Sequence, residues 1–189
     1  MDHIADITPS QTVGPYFAYG ITAEQYGYRY SQIATGTLIK NKEKGDRIFI
    51  KGRVFDGGGN VISDAVIEIW QADNAGSYTN PSFRGFGRVG TGTTTDNSFE
   101  FETIKPGSMG AQAPHINVIV FMRGLLTHAF TRIYFSDEKE ANSIDPAFNA
   151  ISPERRRTLL AEKIHVGDKI EYHFDIYMQG DNETVFFEF

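Results

Sequence analysis

Residues 107–124, GSMGAQAPHINVIVFMRG, turn on glycines, pass a proline and then run apolar, in the manner of a strand entering a core. Side chains alternate across a strand, so His115 and Asn117 share one face. A His-x-His pair there would set two imidazoles side by side, the usual start of a metal site. The second position is Asn117 instead. The stretch reads as a strand, and any metal site on it is incomplete.

The same texture recurs along the chain. RIFIKGRVF (47–55) alternates around Ile48 and Ile50, DGGGN (56–60) is a glycine turn, and AVIEIWQA (65–72) sets Val66, Glu68 and Trp70 against Ile67 and Ile69. Two such runs around a glycine turn predict antiparallel neighbours. SFEFETI (98–104) puts Phe99 and Phe101 on one face, and INVIVFMRG (116–124), HAFTRIYF (128–135), KIEYHFDIYM (169–178) and ETVFFEF (183–189) supply four more runs. Seven short strands with polar or glycine turns predict an all-β fold, a β-sandwich of antiparallel sheets over residues 47–189.

One short helix is predicted near 152–163, SPERRRTLLAEK, with Ser152 as N-cap, Pro153 at the first helical position and Glu154 in the first turn. Its three arginines read as a solvated face. Residues 1–46 hold no period, yet VGPYFAYG (13–20) is too aromatic for a disordered tail. They are expected to form an irregular N-terminal arm, packed on its own domain or, preferably, on a partner. The apolar VFFEF at the end is expected to be paired in the sheet or covered by another chain.

Composition narrows the function classes. The chain has 189 residues, enough for one domain with a full core, and 13% aromatics with a single Trp, which favours strands over a helical bundle. A formal net charge of −6 argues against nucleic acid held by a general basic face, though not against one cationic pocket for a small anion. With no cysteine there is no disulfide, zinc-thiolate site, iron–sulfur cluster or cysteine nucleophile. No apolar run nears the roughly 18 residues that cross a bilayer. MDHIADITPSQ lacks the basic start and apolar stretch of a secretory leader, so a cytoplasmic protein without membrane contact is expected.

Few motifs carry chemistry. GFGRVG (85–90) has the spacing of a dinucleotide loop, but no strand feeds it and no helix follows, so no cofactor is expected there. No G-x-S-x-G elbow is present, and five scattered histidines make no catalytic triad. His128 and His173 read as structural. His115 taken alone reads the same way; its company changes the reading. Trp70, Gln71 and a loop tyrosine, Tyr78, precede the Lys-Pro-Gly turn at 105–107, and His115 opens the next strand.

That order resembles the intradiol ring-cleavage dioxygenases, whose non-haem ferric iron is held by two tyrosines and two histidines. The ligand types suit the metal, because hard ferric iron is stabilised by anionic phenolates and completed by neutral imidazoles. The resemblance carries the first tyrosine onto Tyr78 and the first histidine onto His115. It carries the second tyrosine onto Met109, the second histidine onto Asn117, and an arginine that stabilises the substrate anion onto Gln112. Half of the ligand set is missing, so these five positions read as a vestigial site, with no metal and no catalytic residue expected in this chain alone.

The likeness runs through TPSQTVGPYF (8–17), IEIWQADNAG (67–76), TIKPG (103–107), APHIN (113–117), TRIYF (131–135) and GDNETVFFEF (180–189). Together these look like the non-iron subunit of the family's two-chain members, in which a beta subunit of the same fold binds Fe(III). The resemblance implies a hetero-oligomer that opens 3,4-dihydroxybenzoate with O2 to 3-carboxy-cis,cis-muconate in aromatic catabolism, by the beta-ketoadipate route. It implies that Thr12, Gly14 and Pro15, with Tyr16 beside them, close the beta subunit's pocket, and that Arg132 meets the substrate's carboxylate. Glycine allows close approach to a flat ring and proline fixes the turn. Two other readings stay open: a free-standing β-sandwich binding module, and an independent metalloenzyme with an altered shell around Tyr78 and His115.

Overall fold

The computed structural model describes residues 12–14, 16–40 and 43–188. Ten strands form: β1 (Arg47–Gly52), β2 (Val54–Phe55), β3 (Val66–Gln71), β4 (Phe86–Gly90), β5 (Phe99–Ile104), β6 (His115–Phe121), β7 (Ala129–Phe135), β8 (Leu160–Val166), β9 (Lys169–His173) and β10 (Ile176–Tyr177). Eight of them make one ribbon in the order β4-β3-β6-β7-β8-β9-β1-β5, and β10 pairs with β2 apart from it. The ribbon doubles back through β8, whose first two residues pair with β7 and whose remainder pairs with β9. Its halves close on one core, because Ile48, Ile50, Phe99 and Phe101 share a cluster with Ile67, Ile69, Ile116 and Val118. The predicted sandwich is therefore present.

Several predicted details differ. The sheets are mixed, since β1–β9, β7–β8 and β2–β10 run parallel. The two runs around the glycine turn are not neighbours: β1 pairs with β5 and β9, whereas β3 pairs with β4 and β6. Asp56 closes the turn by accepting from the Gly58 and Asn60 amides at 2.9 and 2.8 Å, after which the chain crosses to the other half. GFGRVG contains strand β4 itself, paired along β3 from Val66↔Gly90 to Trp70↔Phe86. ETVFFEF forms no named strand among the described residues; Phe187 makes an isolated bridge to Phe130.

The helix predicted over 152–163 lasts one turn, Pro153–Arg156, before a 3-10 turn and then β8 from Leu160. Burial decides this, because Leu159 and Ala161 are fully enclosed and the chain must extend to pair with β7. Its arginines are not simply solvated: Arg155 and Arg156 donate to the Glu183, Ile151 and Asn149 carbonyls at 2.8 to 2.9 Å. Besides α4 (Pro153–Arg156), short helices form at α1 (Phe17–Ile21), α2 (Lys139–Ile144) and α3 (Pro146–Asn149).

The described part of the arm packs on its own sandwich at several points. Leu38 enters the core, Phe17 lies 5.6 Å from the Phe121 ring, and the Gln25 side chain exchanges two hydrogen bonds with Gly90. Tyr16, Tyr28, Tyr30 and Ile33 remain exposed.

Gln71 fixes one end of the sandwich. Buried at the close of β3, it donates to the Ile104 carbonyl at 2.8 Å and accepts from the Thr103 hydroxyl at 2.9 Å, joining the halves where their long loops begin. We expect Phe101→Ala to cost about 3–5 kcal/mol in urea unfolding, through lost burial and a residual cavity. Val166→Ser, on the exposed part of β8, should stay within about 0.5 kcal/mol.

Candidate functional site

The loops at the Gln71 end hold the positions singled out in the sequence. Tyr78 stands in a loop organised by Asp73, whose carboxylate accepts from the Ala75 and Ser77 amides at 2.9 Å and from Asn80 at 2.7 Å. Gly76 takes φ 79°, and a Cβ there would stand 2.0 Å from the Ser108 carbonyl oxygen, so this loop lies flush on the 105–109 turn. Met109 and Gln112 exchange backbone hydrogen bonds at 3.1 and 3.0 Å across a tight turn, with Gly110 at φ 59°. The turn delivers the chain into β6 at His115.

Neighbouring strands then align a polar row. Trp70 on β3 faces Asn117 on β6, which faces Arg132 on β7, and His115 faces Tyr134. The Asn117 amide nitrogen donates to the Tyr78 hydroxyl at 3.0 Å, and Arg132 Nε donates to the Asn117 carbonyl oxygen at 3.1 Å. Arg132 Nη1 reaches Gln112 Oε1 at 3.3 Å and the Tyr134 hydroxyl at 3.4 Å. Tyr78, Asn117, Arg132 and Gln112 thus form one connected chain. Position 112 holds Gln, and a guanidinium reaches it from β7.

The remaining residues stand apart from this chain. His115 is buried, with Nδ1 donating to the Ala113 carbonyl at 2.8 Å, which leaves Nε2 with its lone pair. Burial holds this imidazole below its ordinary value near 6.5, helped by the Arg132 charge and opposed by the Ala113 bond and Asp145. The Met109 side chain is partly exposed. Thr12, Gly14 and Tyr16 lie at the other end of β6, where Thr12 accepts from the Gly124 amide at 3.1 Å. From Phe121, beside α1, to Asn117 is four strand positions, about 13 Å at ordinary strand rise. The structure therefore does not bring Arg132 together with the arm residues. Pro15 lies outside the described residues.

The donor set does not suit ferric iron. One phenol and one imidazole are the only members of the four-ligand pattern present, and burial pushes the Tyr78 phenol above its ordinary value of 10, although the Asn117 bond and the Arg132 charge pull the other way. Among the described residues no three His, Cys, Asp or Glu side chains gather as a metal shell. The arrangement provides a fixed cation, neutral hydroxyl groups and amides.

Sequence reading missed three supports. Asp73 and Asp145 look like ordinary loop acids, and Tyr134 like a core residue. Asp145 is fully buried, accepting from the Ala113 amide at 2.8 Å and capping α3 through the Phe148 amide at 2.9 Å. An aspartate directly before Pro146 at a helix start was the available signal.

A dioxygenase family model, Dioxygenase_C, matches residues 14–180. The protocatechuate 3,4-dioxygenase alpha chain of Burkholderia cepacia is 50% identical over 190 residues, covering 96% of each chain. The beta chain of that enzyme from the same organism is 31% identical over 173 residues, covering 79% of this chain and 72% of its own. The dioxygenase domain of a carbohydrate-binding fusion protein from Streptomyces sp. SirexAA-E superposes with a TM-score of 0.65 at 26% identity, covering 95% of this chain and all of the other. No described helix is long and apolar enough to cross a membrane.

Asp145→Ala should destabilise the chain by about 2–4 kcal/mol in denaturant unfolding, since it leaves two buried amides unpaired and removes a cap. His115 should remain neutral in NMR titration at a pH where a free imidazole is half charged. The sign follows from its lowered value: the unfolded state takes the proton first, so stability falls as pH drops below about 6.5. Replacing His115 with Gln should remove that part of the acid loss.

Proposed function

The chain belongs to the intradiol ring-cleaving dioxygenase family, and on that premise we propose that it is the non-iron alpha subunit of a protocatechuate 3,4-dioxygenase. The complex converts 3,4-dihydroxybenzoate and O2 to 3-carboxy-cis,cis-muconate, with Fe(III) held by a homologous beta subunit. The observation that carries this reading is the donor set. Half of the aligned residues match an alpha chain over 96% of its length, while the ligand positions that the resemblance marks hold Met109 and Asn117. Similarity to both an alpha and a beta chain supports two homologous partners.

In this reading residues 1–46 are an arm that packs on the beta subunit, and 47–189 are the sandwich domain. Thr12, Gly14, Pro15 and Tyr16 cover the beta subunit's pocket. Tyr16 is 80% exposed, and no described neighbour stands within 4 Å of where a Gly14 Cβ would lie, so this segment offers an aromatic and a bare backbone to another surface. Bound at the pocket rim, the segment would exclude water from the substrate ring and limit its tilt. Arg132 serves carboxylate recognition, for which its fork of donors is suited.

The test is iron content and protocatechuate-dependent oxygen uptake, for this chain alone and co-expressed with a candidate beta chain. The expected result is no iron and no uptake alone, with about one iron per pair of chains and uptake in the complex. Stoichiometric iron and turnover in the lone chain would overturn the reading.

A further inference from the structure

The turn between β6 and β7 carries more apolar surface than a reversal of the chain needs. Residues 122–128 read MRGLLTH. The Leu125 amide donates to the Met122 carbonyl at 3.4 Å, and Gly124 takes the φ of 90° that the bend requires. Asp64 holds the Arg123 side chain. The side chains of Leu125 and Leu126 take no part in that closure, yet Leu126 stands 68% exposed. A single exposed leucine is ordinary, whereas a contiguous apolar surface marks a contact.

Leu126 borders such a surface. A groove of about 330 Å³ is lined from the hairpin by Phe121, Met122, Leu125 and Leu126, and from the arm by Val13 and Phe17. The Phe17 and Phe121 rings, 5.6 Å apart, join the two sides. Among the described residues no Asp, Glu, Lys or Arg lines it, and Thr127 and His128 supply its polar side chains. A charged group entering the groove would lose water without gaining a partner, so it fits an aliphatic or aromatic side chain.

This groove and the segment assigned to the beta subunit's pocket are one surface. Thr12 accepts from the Gly124 amide at 3.1 Å, which ties the arm to the turn. Val13, a wall of the groove, directly precedes Gly14, and Phe17, another wall, directly follows Tyr16. Neighbouring residues stand about 3.8 Å apart along the chain. A partner that covers Gly14 and Tyr16 therefore reaches the mouth of the groove. A second copy of this chain seated there would compete with that partner for the same residues.

Resting on the reading that Thr12–Tyr16 lies on the beta subunit, we propose that the groove is a socket for an uncharged, apolar side chain of that subunit, with Leu126 as its outer wall. The β6–β7 turn then belongs to the subunit interface together with the arm.

The test measures the Kd between the full chain and a candidate beta chain, by sedimentation of mixtures. Leu126→Asp should raise it by at least about ten-fold, since it sets a charge against an apolar group at the contact. Leu126→Met, which conserves volume, should stay within about three-fold. Val166→Asp is the control: Val166 is 50% exposed on β8, and its variant should also stay within about three-fold. In the lone chain, Leu126→Asp should leave the urea midpoint unchanged. If that variant does not fold by circular dichroism, Leu126→Ser takes its place, with at least about a three-fold rise expected.

An unchanged Kd in the variant used, or an equal loss in Val166→Asp, would overturn the socket. So would a lone-chain midpoint that falls with an unchanged Kd, which assigns the groove to the chain's own packing. Loss of self-association in Leu126→Asp, again with an unchanged Kd, would assign it to a second copy. In each of these cases a wild-type pair that binds iron and consumes oxygen leaves the subunit reading standing. Failure of that reading shows instead in the wild-type chain, as the absence of any complex.

Discussion

The register of β6 governs the rest of the molecule. Ile116, Val118 and Val120 are enclosed in the core, so strand alternation turns His115, Asn117, Ile119 and Phe121 to the other face. A slip of one residue would exchange the two sets, placing Asn117 in the core and three aliphatic side chains in the polar row. Burial of those three residues therefore fixes the Trp70–Asn117–Arg132 row. The site follows from the core, and it needed no separate design to hold its shape.

Legibility in the sequence follows the same physics. β1, β3, β5, β6 and β7 could be read because one face of each meets the common core and the apolar residues keep a period. β4 could not: its core-facing positions include Gly87, where a Cβ would meet Leu38 at 2.6 Å, so the strand announces itself by a small residue instead of a large one. β8 was hidden for another reason. Five of its seven residues are exposed, and only the pairing of Leu160 and Ala161 with β7 commits the chain to extension. Leu159–Leu160–Ala161 after a Pro-Glu start satisfies helix propensity, and tertiary pairing overrides it. Glycine turns mark reversals of the chain without saying which sheet the chain joins next. That is why the turn at 56–60 forms as predicted while the antiparallel pairing predicted for the runs on either side of it does not.

The site was legible position by position and not as an assembly. Resemblance located Tyr78, Met109, Gln112, His115 and Asn117, but treated each as a ligand kept or lost. What surrounds those positions required the fold: Arg132 is fifteen residues beyond Asn117 in sequence and adjoins it only through the β6–β7 register. Arg132 also read as a companion of the arm, since a resemblance lists residues without saying which end of a strand they occupy. The supporting aspartates were invisible for a related reason. Asp73 and Asp145 act on backbone amides, and such partners leave no mark in a sequence.

Placing a guanidinium in this row has a consequence for metal binding that reaches beyond the count of ligands. A ferric shell in this family works because anionic phenolates offset the charge of the ion. Here Asn117 presents its amide oxygen to Arg132 and its amide nitrogen to Tyr78, so the side chain that replaces a histidine orients a cation and also keeps the phenol supplied with a donor. Burial holds the Tyr78 phenol above its ordinary value, outweighing the Asn117 bond and the nearby positive charge, both of which favour the phenolate. A histidine at 117 would break both bonds and leave Arg132 facing any ion bound there. Iron binding there would require changes at the ligand positions and at Arg132 together, so the row is better understood as a polar network in its own right than as an iron site with two parts removed.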